Sequence, residues 1–247
     1  MKTTFTILLP FFIAISFYSC QPDGPAGEIK TPFDYYPLEI GKYITYAVDS
    51  IQYFTIGTID SSHYEVKELL VDTFYDNDGR LNYRVERSAR LNDTMPWIIQ
   101  NEWSVLATEN QIQKIENNLR FIKLTSPVVN GANWEGNIFL GGLEDLPFNE
   151  ECNRLTYLYG WIYAYEDVDQ PFSVNGFEFD KTIKVTQSGD DNLIWYGYAE
   201  EIYANGVGLV QKEFFHYWTQ DTSCPTCPWE ERAECGYSVK MKIIDYN

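Results

Sequence analysis

Apolar and polar residues alternate along most of this chain, and a period of two is the signature of strands with one buried and one wet face. Leu81, Tyr83 and Val85 alternate with Arg80, Asn82, Arg84 and Glu86. Phe177, Phe179, Ile183 and Val185 alternate with Glu178, Asp180, Thr182 and Lys184. Tyr237, Val239, Met241 and Ile243 alternate with Ser238, Lys240 and Lys242. Helical periodicity is scarce. Between the runs stand turn formers: Asp76-Asn77-Asp78-Gly79, Glu109-Asn110, Asn117-Asn118, Asn175-Gly176, Gly189-Asp190-Asp191-Asn192 and Asn205-Gly206. Asn, Asp and Gly tolerate the positive φ that tight hairpins require. The pattern predicts an all-β protein: a single antiparallel meander of about ten strands. A sheet of that size has to curl strongly, as a half-barrel, or split into a two-layer sandwich. The longest irregular connection, Gly131 to Glu151, is placed to divide two sub-sheets without marking a domain boundary.

Composition narrows the function. With 36 Asp plus Glu against 18 Lys plus Arg, the formal charge is −18. That balance lacks the basic footprint of a duplex nucleic-acid binder, so no nucleic-acid partner is expected. It also excludes anchoring on anionic headgroups through a basic face. Apolar residues at 45% and aromatics at 17% are enough for a sizeable core and argue against disorder.

The first residues do not read as part of the fold. Met1-Lys2 is a short basic start, and Phe5 to Phe17 is a 13-residue apolar run. That is shorter than the ~20 residues of a membrane span and suits the apolar segment of a secretory signal peptide. Phe17-Tyr18-Ser19-Cys20 resembles the lipobox of bacterial lipoproteins, with Ser19 and Cys20 matching and Phe17 and Tyr18 departing from the usual residues. The resemblance implies a signal peptide over residues 1–19, lipidation of Cys20 and a membrane anchor with more than one acyl chain, enough for stable attachment. The competing reading is a plain secreted protein cleaved elsewhere. Five cysteines is an odd number for an exported chain, and a lipidated Cys20 leaves four that can pair. Asp after the cysteine would resemble an inner-membrane retention signal; Gln21 points to the outer membrane. Residues 20–34, with three Pro and two Gly, read as an extended tether, about 45 Å long at full stretch. Residues 35–247 then form one β-rich domain.

One strand is unlike the others. Tyr157, Tyr159, Trp161, Tyr163 and Tyr165 occupy alternate positions, with Leu158, Gly160, Ile162 and Ala164 between them. Period two puts all five aromatics on one face. They are candidate ligand-binding residues for an apolar ligand or a glycan in an aromatic-lined concavity; the alternative is core packing, which aromatics dominate energetically.

Cys224, Cys227 and Cys235 follow a C-x2-C-x7-C spacing, and Cys152 is the fourth thiol. A redox pair needs the CxxC at a helix N-terminus, and Pro228 to Glu231 can open a short helix, but no βαβ pattern follows. A zinc site fits the spacing only in part. Structural disulfides among the four are expected, with three possible connectivities and Cys152 reaching to the 224–235 loop. His63 and His216 stand alone, outside any metal-ligand spacing, and there is no nucleophile elbow, phosphate loop or dinucleotide fingerprint. Asp76, Asp78 and Gly79 lack the later glutamate of a calcium loop. Glu200 and Glu201 are adjacent and so face opposite sides of a strand. No metal, cofactor or catalytic residue is expected, and the chain is read as a non-enzyme.

Asp34-Tyr35-Tyr36-Pro37-Leu38-Glu39-Ile40-Gly41-Lys42-Tyr43, continuing to Val48-Asp49-Ser50-Ile51, resembles the opening of a group of β-rich envelope lipoproteins of the Bacteroidetes. Asn118 to Leu124, and Glu201 to Ala204 followed by Gly206 to Val210, resemble the same group, with Ile44 where Trp is common. Asp49-Ser50-Ile51 and Asp93-Thr94-Met95 resemble the O-glycosylation signal of such bacteria, though surface turns explain them as well. The resemblance implies an envelope lipoprotein and no particular activity. The expected function is a non-catalytic binding or interaction module on the outer membrane, facing the periplasm or the exterior, with an envelope protein as partner. The alternative is a carrier or receptor for an apolar or glycan ligand.

Overall fold

The computed structural model describes residues 30–54, 57–141, 158 and 160–247. The chain is all-β. Its strands are β1 (Tyr43–Tyr53), β2 (Ile59–Tyr75), β3 (Leu81–Arg90), β4 (Ile98–Ala107), β5 (Gln111–Glu116), β6 (Leu119–Thr125), β7 (Asn133–Glu135), β8 (Ile162–Val174), β9 (Phe177–Asp191), β10 (Trp195–Ala204), β11 (Gly208–Trp218) and β12 (Cys235–Tyr246). A four-residue helix, α1 (Trp229–Arg232), precedes β12. All twelve strands belong to one antiparallel sheet in the order β6-β5-β4-β3-β2-β1-β12-β11-β10-β9-β8-β7. The stretch from Gly131 is not wholly irregular, because it holds the edge strand β7, and the chain forms two meanders, β1–β6 and β7–β12. Pairing of β1 with β12 fuses them into a single sheet.

The turn chemistry explains the register. Asn117 and Asn118, between β5 and β6, both have positive φ (51° and 66°), as do Asn175 and Gly176 between β8 and β9 (49° and 84°). Two consecutive positive φ values make the mirror-image turn whose twist matches paired strands. One turn lies later than its sequence signal. Gly189, Asp190 and Asp191 still pair with β10, so the chain reverses at 192–194.

The sheet curls almost into a barrel. Its register shifts at Thr45/Tyr46, Leu70/Asp72, Arg87/Ser88, Ile112/Gln113 and Ala199/Glu200. Each irregularity bends its strand and adds twist. The curl brings the outermost strands together. The Ile122 amide of β6 donates to the Gly136 carbonyl just past β7 at 2.8 Å, and the Trp134 indole donates to the Ile122 carbonyl at 2.8 Å. The Tyr165 hydroxyl clamps the same seam, donating to the Thr125 carbonyl and accepting from the Thr125 amide, each at 2.8 Å. These bonds satisfy edge groups that would otherwise invite another chain.

The concave face holds the main core, built from Tyr46, Val66, Val85, Val105, Tyr165 and Ile183 with their neighbours. On the opposite face of β10 and β11, Tyr196, Phe215 and Tyr217 pack under α1. Trp229 stacks on Tyr196 with centroids 5.8 Å apart. Gly136 is fixed by packing at the seam. A Cβ there would lie 2.5 Å from three ring atoms of Tyr163. Gly136→Ala is expected to destabilise the fold by about 1–3 kcal/mol, the usual cost of overpacking, in urea unfolding. Gly141→Ala has open space around the added methyl and is expected to stay within about 0.5 kcal/mol of wild type.

Candidate functional site

The concave face is not apolar throughout. Where β2, β5, β6, β10 and β11 converge, charged side chains occupy positions that the alternation assigns to the interior. Lys114 follows Ile112 on β5, Lys123 follows Phe121 on β6, and Glu201 lies between Ala199 and Tyr203 on β10. Their side chains are 5%, 4% and 1% exposed.

Contacts across the curled sheet pair these groups. Lys114 Nζ donates to Glu68 Oε2 at 2.8 Å and lies 3.3 Å from Glu116 Oε1. Lys123 Nζ donates to Glu201 Oε1 at 2.9 Å and stands 3.7 Å from Glu116 Oε1. Lys212, directly opposite Glu201 on β11, reaches the same Oε1 at 3.2 Å. The Tyr203 hydroxyl donates to Glu201 Oε2 at 2.6 Å. Arg87 lies 3.7 Å from Glu68 Oε1 and over the Trp103 ring at 4.9 Å.

This network borders a half-open cavity of about 80 Å³. Lys42, Tyr43, Val207 and Gly208 line it together with Tyr36, Trp103 and Met241, and the charged cluster supplies its polar wall. That volume holds a few waters or a small molecule.

Electrostatics locks the cluster in its charged forms. Burial alone would lower the Lys114 ammonium, but Glu68, Tyr36 and Glu116 outweigh it and its pKa is raised. Lys123 is likewise raised, because Glu116 and Glu201 overcome desolvation. Burial pushes the Glu116 carboxyl up, yet Lys123, Lys114 and Lys212 bring it well below the usual carboxylate range. Glu201, opposed in the same way by burial, is brought down to about 2 by Lys123 and Lys212. Burial raises the Tyr36 hydroxyl to about 12. None of these groups titrates near neutrality, where general acid–base catalysis is most efficient. Such an array offers fixed charge to the cavity.

Known proteins add nothing to this picture. Comparison with protein-family models, with curated proteins and with solved structures finds no match. The site therefore rests on its own geometry.

Of the aromatic residues singled out by alternation, Trp161, Tyr163 and Tyr165 lie in the main core away from the cavity, and the strand begins only at Ile162, later than alternation places it. Trp161, Tyr163 and Tyr165 are buried. Trp161 stacks on Phe214 at 6.0 Å, the Tyr163 hydroxyl donates to Asn137 Oδ1 at 2.8 Å, and Tyr165 closes the seam. None of the three lines the cavity. Tyr157 and Tyr159 lie outside the described residues, as do Cys20 and Cys152. Cys224 and Cys227 are joined in a disulfide just ahead of α1, and Cys235 is also disulfide-bonded. His63 is exposed beside Asp49 at 2.7 Å. His216 is buried against Trp195, with ring centroids 4.3 Å apart. Asp76 organises the β2–β3 hairpin, its Oδ1 accepting from the Asp78 and Arg80 amides. Ser50 is paired within β1, and Thr94 sits in the exposed β3–β4 turn.

Glu200 and Glu201 do face opposite sides. Glu200 accepts from Tyr198 on the outside while Glu201 joins the cluster. What the sequence reading passed over is Lys114, Lys123 and Glu116. The signal was there in Phe121-Ile122-Lys123-Leu124, a lysine inside an otherwise apolar run. A buried lysine needs a partner, and the partner's identity depends on curvature.

Proposed function

We propose that this chain is a non-catalytic binding module of the cell envelope, tethered to the outer membrane through a lipidated Cys20, with its binding site in the cavity of the curled sheet. The observation that carries the reading is the cavity itself. It is half open, and its polar wall is a buried ion network in which Lys114, Lys123, Glu116 and Glu201 stay charged at neutral pH. Cations fixed at the wall of an open space are placed to meet a ligand from solution. The anchor is supported by the apolar run ending at Ser19-Cys20 and by the Pro- and Gly-containing tether. Carriage of a lipid or an extended glycan in the aromatic face has less support. Trp161, Tyr163 and Tyr165 are packed against protein, and about 80 Å³ is far below the several hundred Å³ of a drug-sized pocket.

Wild-type, Cys20→Ala and Val207→Trp proteins, expressed in the native host with radiolabelled palmitate, separate the two parts of the proposal. Wild type and Val207→Trp are expected to carry label and Cys20→Ala to lose it. Small molecules released on denaturation are expected from wild type and Cys20→Ala, and to vanish from Val207→Trp, which puts an indole at a residue lining the cavity. An unlabelled wild type defeats the anchor. Equal small-molecule content in Val207→Trp defeats the binding site.

A further inference from the structure

The cavity has an imbalance of charge that singles out its ligand. The chain carries 36 acidic residues against 18 basic ones, yet around this cavity the proportion inverts. Three carboxylates, Glu68, Glu116 and Glu201, meet Lys42, Lys114, Lys123 and Lys212 along its wall, with Arg87 behind Glu68. Each carboxylate is already shared by two cations. Glu68 serves Lys114 and Arg87, Glu116 serves Lys114 and Lys123, and Glu201 serves Lys123 and Lys212. Lys42 makes no ion pair among the described residues. Five cations against three carboxylates leave a surplus of positive charge beside the cavity, carried by the half-buried Lys42.

A cation with no carboxylate partner is placed to take an anionic ligand through charge-assisted hydrogen bonds. The Tyr36 hydroxyl adds a second observation. It lines the cavity among the same ions, and it makes no hydrogen bond among the described residues. A phenol in that position is a donor waiting for an acceptor. The remaining wall, from Leu70, Val85, Leu209 and Met241, is apolar. An inorganic anion would leave that wall unfilled, and a neutral apolar ligand would leave the surplus charge bare.

Resting on the reading of the cavity as a binding site, we infer that it takes a small organic carboxylate, its anionic end among Lys42, Lys212 and the Tyr36 hydroxyl and its short apolar end against Leu70, Leu209 and Met241. An apolar cavity of about 150 Å³ accepts benzene; at about 80 Å³ this one suits a smaller ligand. Propionate is of that class.

The test is calorimetric titration of the detergent-solubilised, extensively dialysed lipoprotein with propionate, propionamide and inorganic phosphate. Propionate is expected to bind with a dissociation constant of about 0.1–1 mM, within what so few atoms can deliver. Propionamide, the uncharged isostere, is expected to bind at least about tenfold more weakly, and phosphate no more tightly than propionamide. Lys42→Met is expected to weaken propionate about tenfold or more with an unchanged melting curve, since Lys42 supports no other ion. Absence of propionate binding at about 20 mM overturns the inference. So does propionamide or phosphate matching propionate, or Lys42→Met leaving its affinity unchanged. A co-purifying molecule that is lost from Val207→Trp but bears no carboxylate also overturns it, while leaving the binding module standing.

Discussion

Glu201→Ala is expected to lower the unfolding free energy by about 3–5 kcal/mol, the usual cost of removing one partner from a buried ion pair. The carboxylate is 1% exposed and is the closest acceptor of both Lys123 and Lys212. It also receives the Tyr203 hydroxyl. Without it, Lys123 keeps only Glu116, at 3.7 Å, and Glu116 must also serve Lys114. The damage is therefore an orphaned cation in the core, not a lost contact of average worth. For a domain of this size about 4 kcal/mol corresponds to a melting temperature lower by roughly 8–16 °C. The double variant Lys123→Met/Glu201→Leu removes both charges with apolar chains of similar length. It is expected to be markedly more stable than Glu201→Ala, since replacing a whole pair is often neutral. Urea unfolding with unchanged m-values is the measurement. A loss below about 1 kcal/mol for Glu201→Ala would mean that water screens the cluster, and the fixed-charge account of the cavity would fall with it.

The same cluster marks the boundary of what the sequence discloses. Alternation is a local property, so the strands could be read directly, and the Asn117-Asn118 and Asn175-Gly176 turns could be placed to the residue. Curvature is not local. It arises from several register shifts, each a one-residue matter between partners far apart in sequence, such as Ala199/Glu200 against β9. Without the curl, nothing brings Lys123 to Glu201, which lie 78 residues apart. The aromatic strand shows the opposite failure. Period two placed Tyr163 and Tyr165 on one buried face, but the pattern is the same whether such a face lines a hollow or a packed seam. Gly136, pressed against Tyr163, and the bonds from Tyr165 to Thr125 decide for the seam. The cysteine spacing left three connectivities open, and the Cys224–Cys227 bond is the one that closes a turn locally.

The fold is also expected to lose stability in two successive steps as the solution is acidified, and the first belongs to one residue. His216 is buried against Trp195 and Tyr237, and burial pushes its imidazole down to about 4. In the unfolded chain it titrates at about 6.5. Between those values the unfolded state binds a proton that the native state refuses, so stability falls with falling pH. The contribution is fully present above pH ~6.5 and exhausted below pH ~4. At about 1.4 kcal/mol per unit it amounts to roughly 3 kcal/mol. The second step has the carboxylates as its source. Glu201, at about 2, and Glu116, also lowered, lie below their unfolded values. Their stabilisation is present above pH ~4.5 and is lost as pH falls through their native values. Glu200 works the other way, because burial raises its carboxyl and it gains stability on protonation. A single variant isolates the histidine. His216→Phe changes packing at every pH alike but abolishes the proton uptake. The stability difference between wild type and His216→Phe, measured by urea unfolding, is expected to shift by about 2–3 kcal/mol in favour of the variant between pH 7 and pH 4.5. A difference that stays constant across that range would show that native His216 takes up its proton as readily as it does in the unfolded chain.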